Sequence, residues 1–86
     1  MKEFNYTIKD EVGIHARPAG LLVKEAEKFK SEIEIRTQTG KSADAKRLFP
    51  LMSLGVKTGD TITVLIAGRD EDEAYTSIRS FLEENL

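Results

Sequence analysis

Apolar residues follow two different spacings along this chain, and the alternation between those spacings restricts its fold more than any other feature. Three segments place an apolar residue at every second position, which is typical of a strand buried on one face. The clearest of them, residues 61–67, carries Ile62, Val64 and Ile66 on one side. Two other segments place apolar residues three and four positions apart, which is typical of a helix with one buried face. This alternation predicts helices packed on a sheet.

The order of the elements follows from these spacings and from the glycine-containing breaks between them. We predict strands over residues 4–8, 32–36, 41–44 and 61–67, and helices over residues 16–29, 47–53 and from 71 onward. Asp70, with Glu73 three positions later, is expected to cap the last helix. The order βαββαβα predicts an α+β fold in which three helices cover one face of a four-stranded antiparallel sheet. The other face should contact water and carries Thr7, Glu34, Thr61 and Thr63.

Composition limits the kinds of function that this chain can have. We expect residues 1–86 to form one domain, too small to enclose a large pocket, so its site should be a surface patch on which other proteins dock. No cysteine is present, and a single histidine is too few for a metal site. A net charge of −2 with scattered basic residues argues against a nucleic-acid partner. No apolar run reaches the roughly 20 residues that span a membrane, and no signal-peptide segment opens the chain, so we expect a cytoplasmic protein without direct membrane insertion.

Residues 13–19, GIHARPA, hold the only histidine and open the first predicted helix. If His15 is the N-cap of that helix, the amides of Ala16 and Arg17 have no helical acceptor, and Pro18 has no amide to offer. The helix dipole adds partial positive charge there, which disfavours a protonated ring and favours an anion such as a phosphoryl group. Arg17 adds a planar set of donors that suits phosphate oxygens.

Two interpretations of this run stay open from the residues alone. His15 could attack a phosphorus atom and carry the phosphoryl group, or it could be a surface N-cap beside a solvated Arg17. Because a residue before proline is biased away from helical dihedral angles, Arg17 also predicts an irregular first turn.

The same run resembles the active-site signature of HPr, the histidine-containing phosphocarrier family of the bacterial sugar phosphotransferase system. Residues 40–46 (GKSADAK) and 51–55 (LMSLG) are similar to a second characteristic region of that family, and the resemblance extends over essentially the whole chain. It implies an open-faced β-sandwich. It also implies that His15 accepts a phosphoryl group on Nδ1 from enzyme I and passes it to a IIA component of a sugar permease, with Arg17 steadying the group. Such a protein is a carrier rather than an enzyme, needs no cofactor, and is expected to be a monomer.

The resemblance further implies that the first two helices form one docking face for both partners. The residues that we assign to this docking face are Gly20, Lys24, Arg47, Leu48, Phe49 and Met52. The short second helix has more apolar residues than its core side needs, so part of it should be exposed. Leu48 and Met52 are the favoured interface residues, whereas the core is the slightly favoured place for Phe49 and for Leu51.

Arg47 departs from the family pattern. In Gram-positive members a regulatory serine follows the lysine that matches Lys46, so the kinase-dependent regulation tied to that serine is expected to be lost here. The altered second helix supports another hypothesis, a paralogue dedicated to one transporter or to a dihydroxyacetone kinase system. A regulatory binding protein without chemistry is a third hypothesis, although family members of that kind lack the active histidine.

Overall fold

The computed structural model describes residues 1–86 and contains every strand and helix predicted from the sequence. In chain order the elements are β1 (Lys2–Thr7), α1 (Ala16–Ala26), β2 (Glu32–Thr37), β3 (Ser42–Asp44), α2 (Leu48–Met52), β4 (Thr61–Ala67) and α3 (Glu71–Asn85). The predicted order βαββαβα is therefore confirmed.

The strands form one antiparallel sheet with the order β1-β4-β2-β3. β4 lies inside the sheet, where Val64 pairs with Phe4 of β1 and with Ile35 of β2. Because paired residues point to the same face of a sheet, these three side chains share one side, and all of them are buried. The strict alternation in β4 follows from this position, since the strand is paired along both edges and covered on one face.

The opposite face of the sheet is polar, as predicted. The hydroxyl groups of Thr7 and Thr61 lie 2.8 Å apart, and Thr63 and Glu34 also make side-chain hydrogen bonds on this face. These side chains are exposed or half-buried. One layer of helices on one layer of sheet therefore leaves the second face of the sheet open.

The three helices cover the first face of the sheet through their apolar sides. The buried apolar residues of the two long helices are Pro18, Ala19, Leu22 and Ala26 in α1, and Ala74, Ile78 and Leu82 in α3. All of these except Pro18 belong, together with the inward-facing residues of the strands, to one core of 20 buried apolar residues. Each large aliphatic side chain in such a core contributes about 1.5–3 kcal/mol through its burial. None of the helices combines the length and the apolar character that crossing a membrane requires.

α1 is shorter than predicted, because it ends at Ala26 rather than at Phe29. The amides of Lys28 and Phe29 bond to carbonyl groups three residues back, each at 3.2 Å, so the chain tightens into a turn instead of continuing the α-helix. Phe29 packs against the core from this turn. The spacing of Phe29 from the apolar residues of α1 predicted a helical residue, but a side chain can also reach the core from a turn. The second helix is also shorter than predicted, by one residue at each end.

Asp70 precedes α3, as predicted, but its side chain does not cap that helix. Its carboxylate instead accepts the hydroxyl of Ser31 at 2.5 Å and the amides of Lys30 and Ser31 at 2.8 and 2.9 Å. These bonds, the one from the Ser31 hydroxyl first, lower the pKa of the Asp70 carboxyl to about 2. A Cβ atom at Gly68 would lie only 2.6 Å from the Ser31 Cα, so the loops before β2 and before α3 touch directly. Asp70 therefore connects the segment that follows α1 to the start of α3 through hydrogen bonds.

Replacing Asp70 with asparagine (Asp70→Asn) should lower the free energy of unfolding at neutral pH, because an amide cannot carry the charge that these donors stabilise. The folded pKa lies below the value of about 3.9 for an unfolded aspartate. The stabilisation is therefore fully present above about pH 5 and is lost as the pH falls toward 2. Urea unfolding of both proteins across this range should show a difference that shrinks steadily with falling pH. Glu73→Gln, an exposed residue in the first turn of α3 that belongs to none of the ion pairs, is the control and should change stability little. A destabilisation by Asp70→Asn that does not depend on pH would contradict the assignment.

Candidate functional site

His15 is the N-cap of α1, as predicted. Its backbone is extended, with φ −113° and ψ −175°, and its carbonyl oxygen accepts the amide of Ala19 at 2.9 Å. This is a regular first helical bond, so the irregular first turn predicted from Arg17 is wrong. Pro18 is compatible with that turn because it has no amide that needs an acceptor and its fixed φ suits a helix start. The imidazole stays accessible, with 42% of its side chain exposed.

The N-terminus of α1 presents two main-chain donors next to His15. The amides of Ala16 and Arg17 donate to no acceptor in the protein, and the first turn contains no acidic residue. Free N–H groups and the positive end of the helix dipole favour a bound anion at this place. The Arg17 side chain is exposed and belongs to none of the ion pairs of the protein, so its guanidinium can contact the same anion.

His15 and Arg17 lie in one shallow groove of about 270 Å³, whose other lining residues are Asp10, Pro18, Leu21 and Asn85. Oδ2 of Asp10 lies 3.7 Å from Nε2 of His15, and Asp10 is the only acidic residue that forms an ion pair with the ring. Asp10 was not predicted, because the sequence does not show that the loop turns back toward the histidine. The one sequence signal that could have identified Asp10 is its position, as an acidic residue in the loop directly before the helix.

The loop before α1 is held against the loop before β4 by main-chain contacts. The amide of Ile14 donates to the carbonyl of Val56 at 3.0 Å, and Gly13 has a φ of +83°, which favours glycine. A Cβ atom at Gly13 would lie 2.3 Å from the Val56 carbonyl oxygen and 2.6 Å from the Lys57 Cα. Position 13 therefore requires glycine both for its dihedral angle and for space. This contact fixes the position of the segment that leads into α1.

The predicted docking face lies on two helices that pack side by side, α1 and α2. Among its six residues, Lys24, Arg47 and Phe49 are exposed, and Gly20, Leu48 and Met52 are half-buried. A Cβ atom at Gly20 would meet nothing within 4 Å, so the surface is open at this point of α1. The structure thus gives the docking face both accessible charges and accessible apolar surface.

Within α2, the structure separates core residues from exposed ones differently from the sequence. Phe49 is 76% exposed, so the slightly favoured prediction that it lies in the core is wrong. Leu51 is fully buried, as predicted, and Leu48 and Met52 pack partly against the core. A helix of five residues is too short for its spacing to show which side faces inward.

Two further exposed apolar residues, one in the loop before α1 and one in the groove, were not predicted. Val12 is 63% exposed in the loop before α1, and Leu21, which lines the groove, is 40% exposed. Leu21 follows Arg17 by one helical turn, so it lies on the outward side of α1. An apolar residue on the outward, otherwise polar side of α1 is the sequence signal that could have identified Leu21.

Comparison with known proteins assigns the family. A family model described as the PTS HPr component phosphorylation site matches residues 2–84. The chain belongs to the HPr family. It is 48% identical over 85 residues to the phosphocarrier protein HPr of Mycoplasma genitalium, which covers 99% of this chain and 97% of that protein. It is 45% identical over 85 residues to the HPr of Mycoplasma pneumoniae, again covering 99% of this chain and 97% of the relative.

The fold is also that of solved HPr structures. The crystal structure of HPr-C-His from Thermoanaerobacter tengcongensis matches with a TM-score of 0.92 at 39% identity, covering 99% of this chain and 94% of the other. The predicted open-faced arrangement of three helices on a four-stranded antiparallel sheet is therefore confirmed. HPr proteins are phosphocarriers of the phosphotransferase system, which serves sugar transport.

Arg47 gives this HPr chain a basic residue at the start of α2. It is the N-cap of that helix, its side chain makes no capping bond, and its exposed guanidinium belongs to none of the ion pairs. The neighbouring Lys46 is different, because its Nζ donates to the carbonyl of Phe29 at 2.8 Å. Lys46 therefore has a structural contact, whereas Arg47 adds a free positive charge next to Phe49.

Gly13→Ala and Gly20→Ala form a matched pair of substitutions. Gly13→Ala should lower the free energy of unfolding by roughly 1–3 kcal/mol, because alanine is strained at this dihedral angle and collides with Val56. Gly20→Ala should raise it by about 0.5–1 kcal/mol, because alanine favours a helix interior and meets no neighbour here. Urea unfolding at neutral pH measures both values. Effects of the same sign in the two variants would contradict the role assigned to Gly13.

Proposed function

We propose that this protein carries phosphoryl groups on His15 in the sugar phosphotransferase system, with enzyme I as donor and a IIA component of a sugar permease as acceptor. The observation that carries the proposal is the position of the only histidine in the chain. It caps α1 beside the free amides of Ala16 and Arg17, in a groove that also contains the Arg17 side chain.

The proposed reaction is an exchange between histidines of two proteins. Nδ1 of the neutral His15 ring attacks the phosphorus of the enzyme I phosphohistidine. The new N–P bond forms while the donor N–P bond breaks, and the electron pair of the broken bond returns to the donor ring. The Ala16 and Arg17 amides and the Arg17 guanidinium stabilise the negative oxygens of the moving group. Because the group leaves again on the next partner, the protein is a carrier rather than an enzyme, and it needs no cofactor.

The open groove suits a transfer that takes place inside a complex. Water must be kept from a phosphoryl group during transfer, and a shallow groove cannot do this alone, so the surface of the partner closes the site. Exposed Leu21 and Phe49 provide the apolar contact for this closure. Arg17, Lys24 and Arg47 favour partner surfaces that are acidic.

Arg47 supports a second part of the proposal, that this chain lacks serine-dependent regulation. Arginine has no hydroxyl group for a kinase to phosphorylate, and its charge is opposite to that of a phosphoserine.

Arg47, together with Pro50 in α2, also favours a second candidate function, a carrier dedicated to one transporter or to a dihydroxyacetone kinase system. Equally fast transfer to several IIA proteins would argue for the general carrier. The presence of His15 disfavours a binding role without chemistry.

We further infer that residues 1–86 act as one cytoplasmic unit and as a monomer. One continuous core supports the single unit, and a docking face that lies on one chain supports the monomer. Membership of the HPr family supports the cytoplasmic location. A solved relative from T. tengcongensis is described as an HPr dimer, at a TM-score of 0.76 and 39% identity, so association is a relevant alternative. Light scattering should give the mass of one chain; the mass of two chains would overturn the inference.

Incubation with enzyme I and phosphoenolpyruvate should place one acid-labile, base-stable phosphoryl group on the wild-type protein. His15→Ala should take up none, because the chain has no other histidine. Arg17→Ala should still be labelled, but about 100-fold more slowly, because a main donor to the phosphoryl oxygens is missing. Arg69→Ala removes an exposed arginine outside the groove and should react like the wild type. Undiminished labelling of His15→Ala would refute the proposal.

Phe49→Ala should slow phosphoryl transfer without unfolding the protein. Since the ring is 76% exposed, the free energy of unfolding should change little, by less than about 0.5 kcal/mol. The kcat/KM for phosphorylation by enzyme I should fall roughly 5- to 30-fold, as expected for an aromatic contact residue. Leu65→Ala, on the outer face of the sheet, is the control and should leave transfer unchanged. Wild-type transfer by Phe49→Ala would remove this residue from the docking face.

A further inference from the structure

We infer that Asp10 is a positioning residue for His15, whose carboxylate keeps the proton of the neutral ring on Nε2 and so leaves Nδ1 free to attack phosphorus. The inference rests on the proposed function, in which His15 carries the phosphoryl group. Its motivating observation is the distance of 3.7 Å between Oδ2 of Asp10 and Nε2 of His15.

The Asp10 carboxylate is fixed by its own loop and not by the histidine. Its Oδ2 accepts the amide of Val12 at 3.0 Å. The Asp10 carbonyl accepts the amide of Gly13 at 3.2 Å, and the Asp10 amide donates to the main-chain oxygen of Leu86 at 2.8 Å. A carboxylate held in this way can orient a ring, because it does not turn to follow the ring.

The environment of a neutral imidazole decides which of its two nitrogens holds the proton. A carboxylate near Nε2 attracts an N–H group there, so the tautomer protonated on Nε2 is favoured and the lone pair lies on Nδ1. Nδ1 is bonded to Cγ, so it is the ring nitrogen closer to the main chain of His15. Asp10 thus selects the nitrogen on the side where the helix begins.

Phosphorylation gives the ring a charge that the helix end opposes. When Nδ1 bonds to phosphorus and the donor nitrogen keeps the electron pair of the broken bond, the proton stays on Nε2, and the ring of phosphorylated His15 is a cation. The helix dipole, which favours the phosphoryl oxygens, disfavours this cation. Arg17, the other charged residue that lines the groove, adds to the repulsion. Asp10 places a negative charge beside the opposite nitrogen, so one site can hold the anionic group and the cationic ring.

The expected effect is modest. At 3.7 Å the pair is longer than an ordinary N–H···O hydrogen bond, and both side chains are partly exposed. An interaction of this kind changes an equilibrium or a rate by about two- to fivefold. The contact should be strongest in the phosphorylated protein, where the ring carries its positive charge.

The test compares Asp10→Asn with Glu11→Gln, by ¹⁵N NMR of the histidine ring at a pH at which the ring is neutral. Asparagine keeps an oxygen for the Val12 amide and removes the charge, whereas Glu11→Gln removes the same charge from the same exposed loop. The fraction of the Nε2-protonated tautomer should fall about two- to fivefold relative to the other tautomer in Asp10→Asn. It should stay at the wild-type value in Glu11→Gln. Asp10→Ser, which also keeps an oxygen for Val12, replaces Asp10→Asn if that variant does not fold.

The rate of phosphorylation by enzyme I is the second measurement, and it separates this inference from the proposed function. We expect Asp10→Asn to be phosphorylated about two- to fivefold more slowly than Glu11→Gln, with the label still on His15. Ring signals and rates equal to those of Glu11→Gln would overturn the positioning role and leave the carrier function intact. A wild-type protein that takes up no label would refute the carrier function, while the tautomer ratio would still decide whether Asp10 orients the ring.

Discussion

The contact of Gly13 with the main chain of Val56 is the constraint on which the site depends. The loop before α1 packs so closely against the loop before β4 that a Cβ atom at position 13 would not fit. The helix start at His15 follows from the local sequence, and this contact fixes where that start, with its free amides, lies relative to the rest of the fold. The same loop holds Asp10, whose carboxylate lies 3.7 Å from the ring of His15. A small main-chain contact thus positions the helix end whose free amides the groove presents to an anion.

α1 is held at its far end by a second contact of a different kind. Asp70 binds Lys30 and Ser31 after the helix has ended, through hydrogen bonds that lower the pKa of its carboxyl to about 2. A helix fixed at both ends and buried along one side has little freedom to move. Rigidity of this kind suits the proposed function, in which one site must offer the same geometry to a donor and to an acceptor protein.

The groove itself is open, and its charges are balanced against one another. The helix end and Arg17 attract an anion, and Asp10 provides the opposite charge beside the ring. Full enclosure would strengthen these interactions but would also block the approach of a protein partner. Under the proposed function the site is one half of an active site, and the exposed apolar residues Leu21 and Phe49 belong to the surface on which the partner would close it.

The sequence by itself determined the order of the elements, the buried faces of β1, β2 and β4, and the helix start at His15. These features depend on residues close together in the chain, whose spacing and capping preferences act locally. Only the tertiary structure decided that Asp10 approaches the histidine, that Asp70 binds Ser31 instead of capping α3, and that Phe49 points outward. Each of these depends on where distant segments or a very short helix pack against the core, and residue spacing carries no information about that packing.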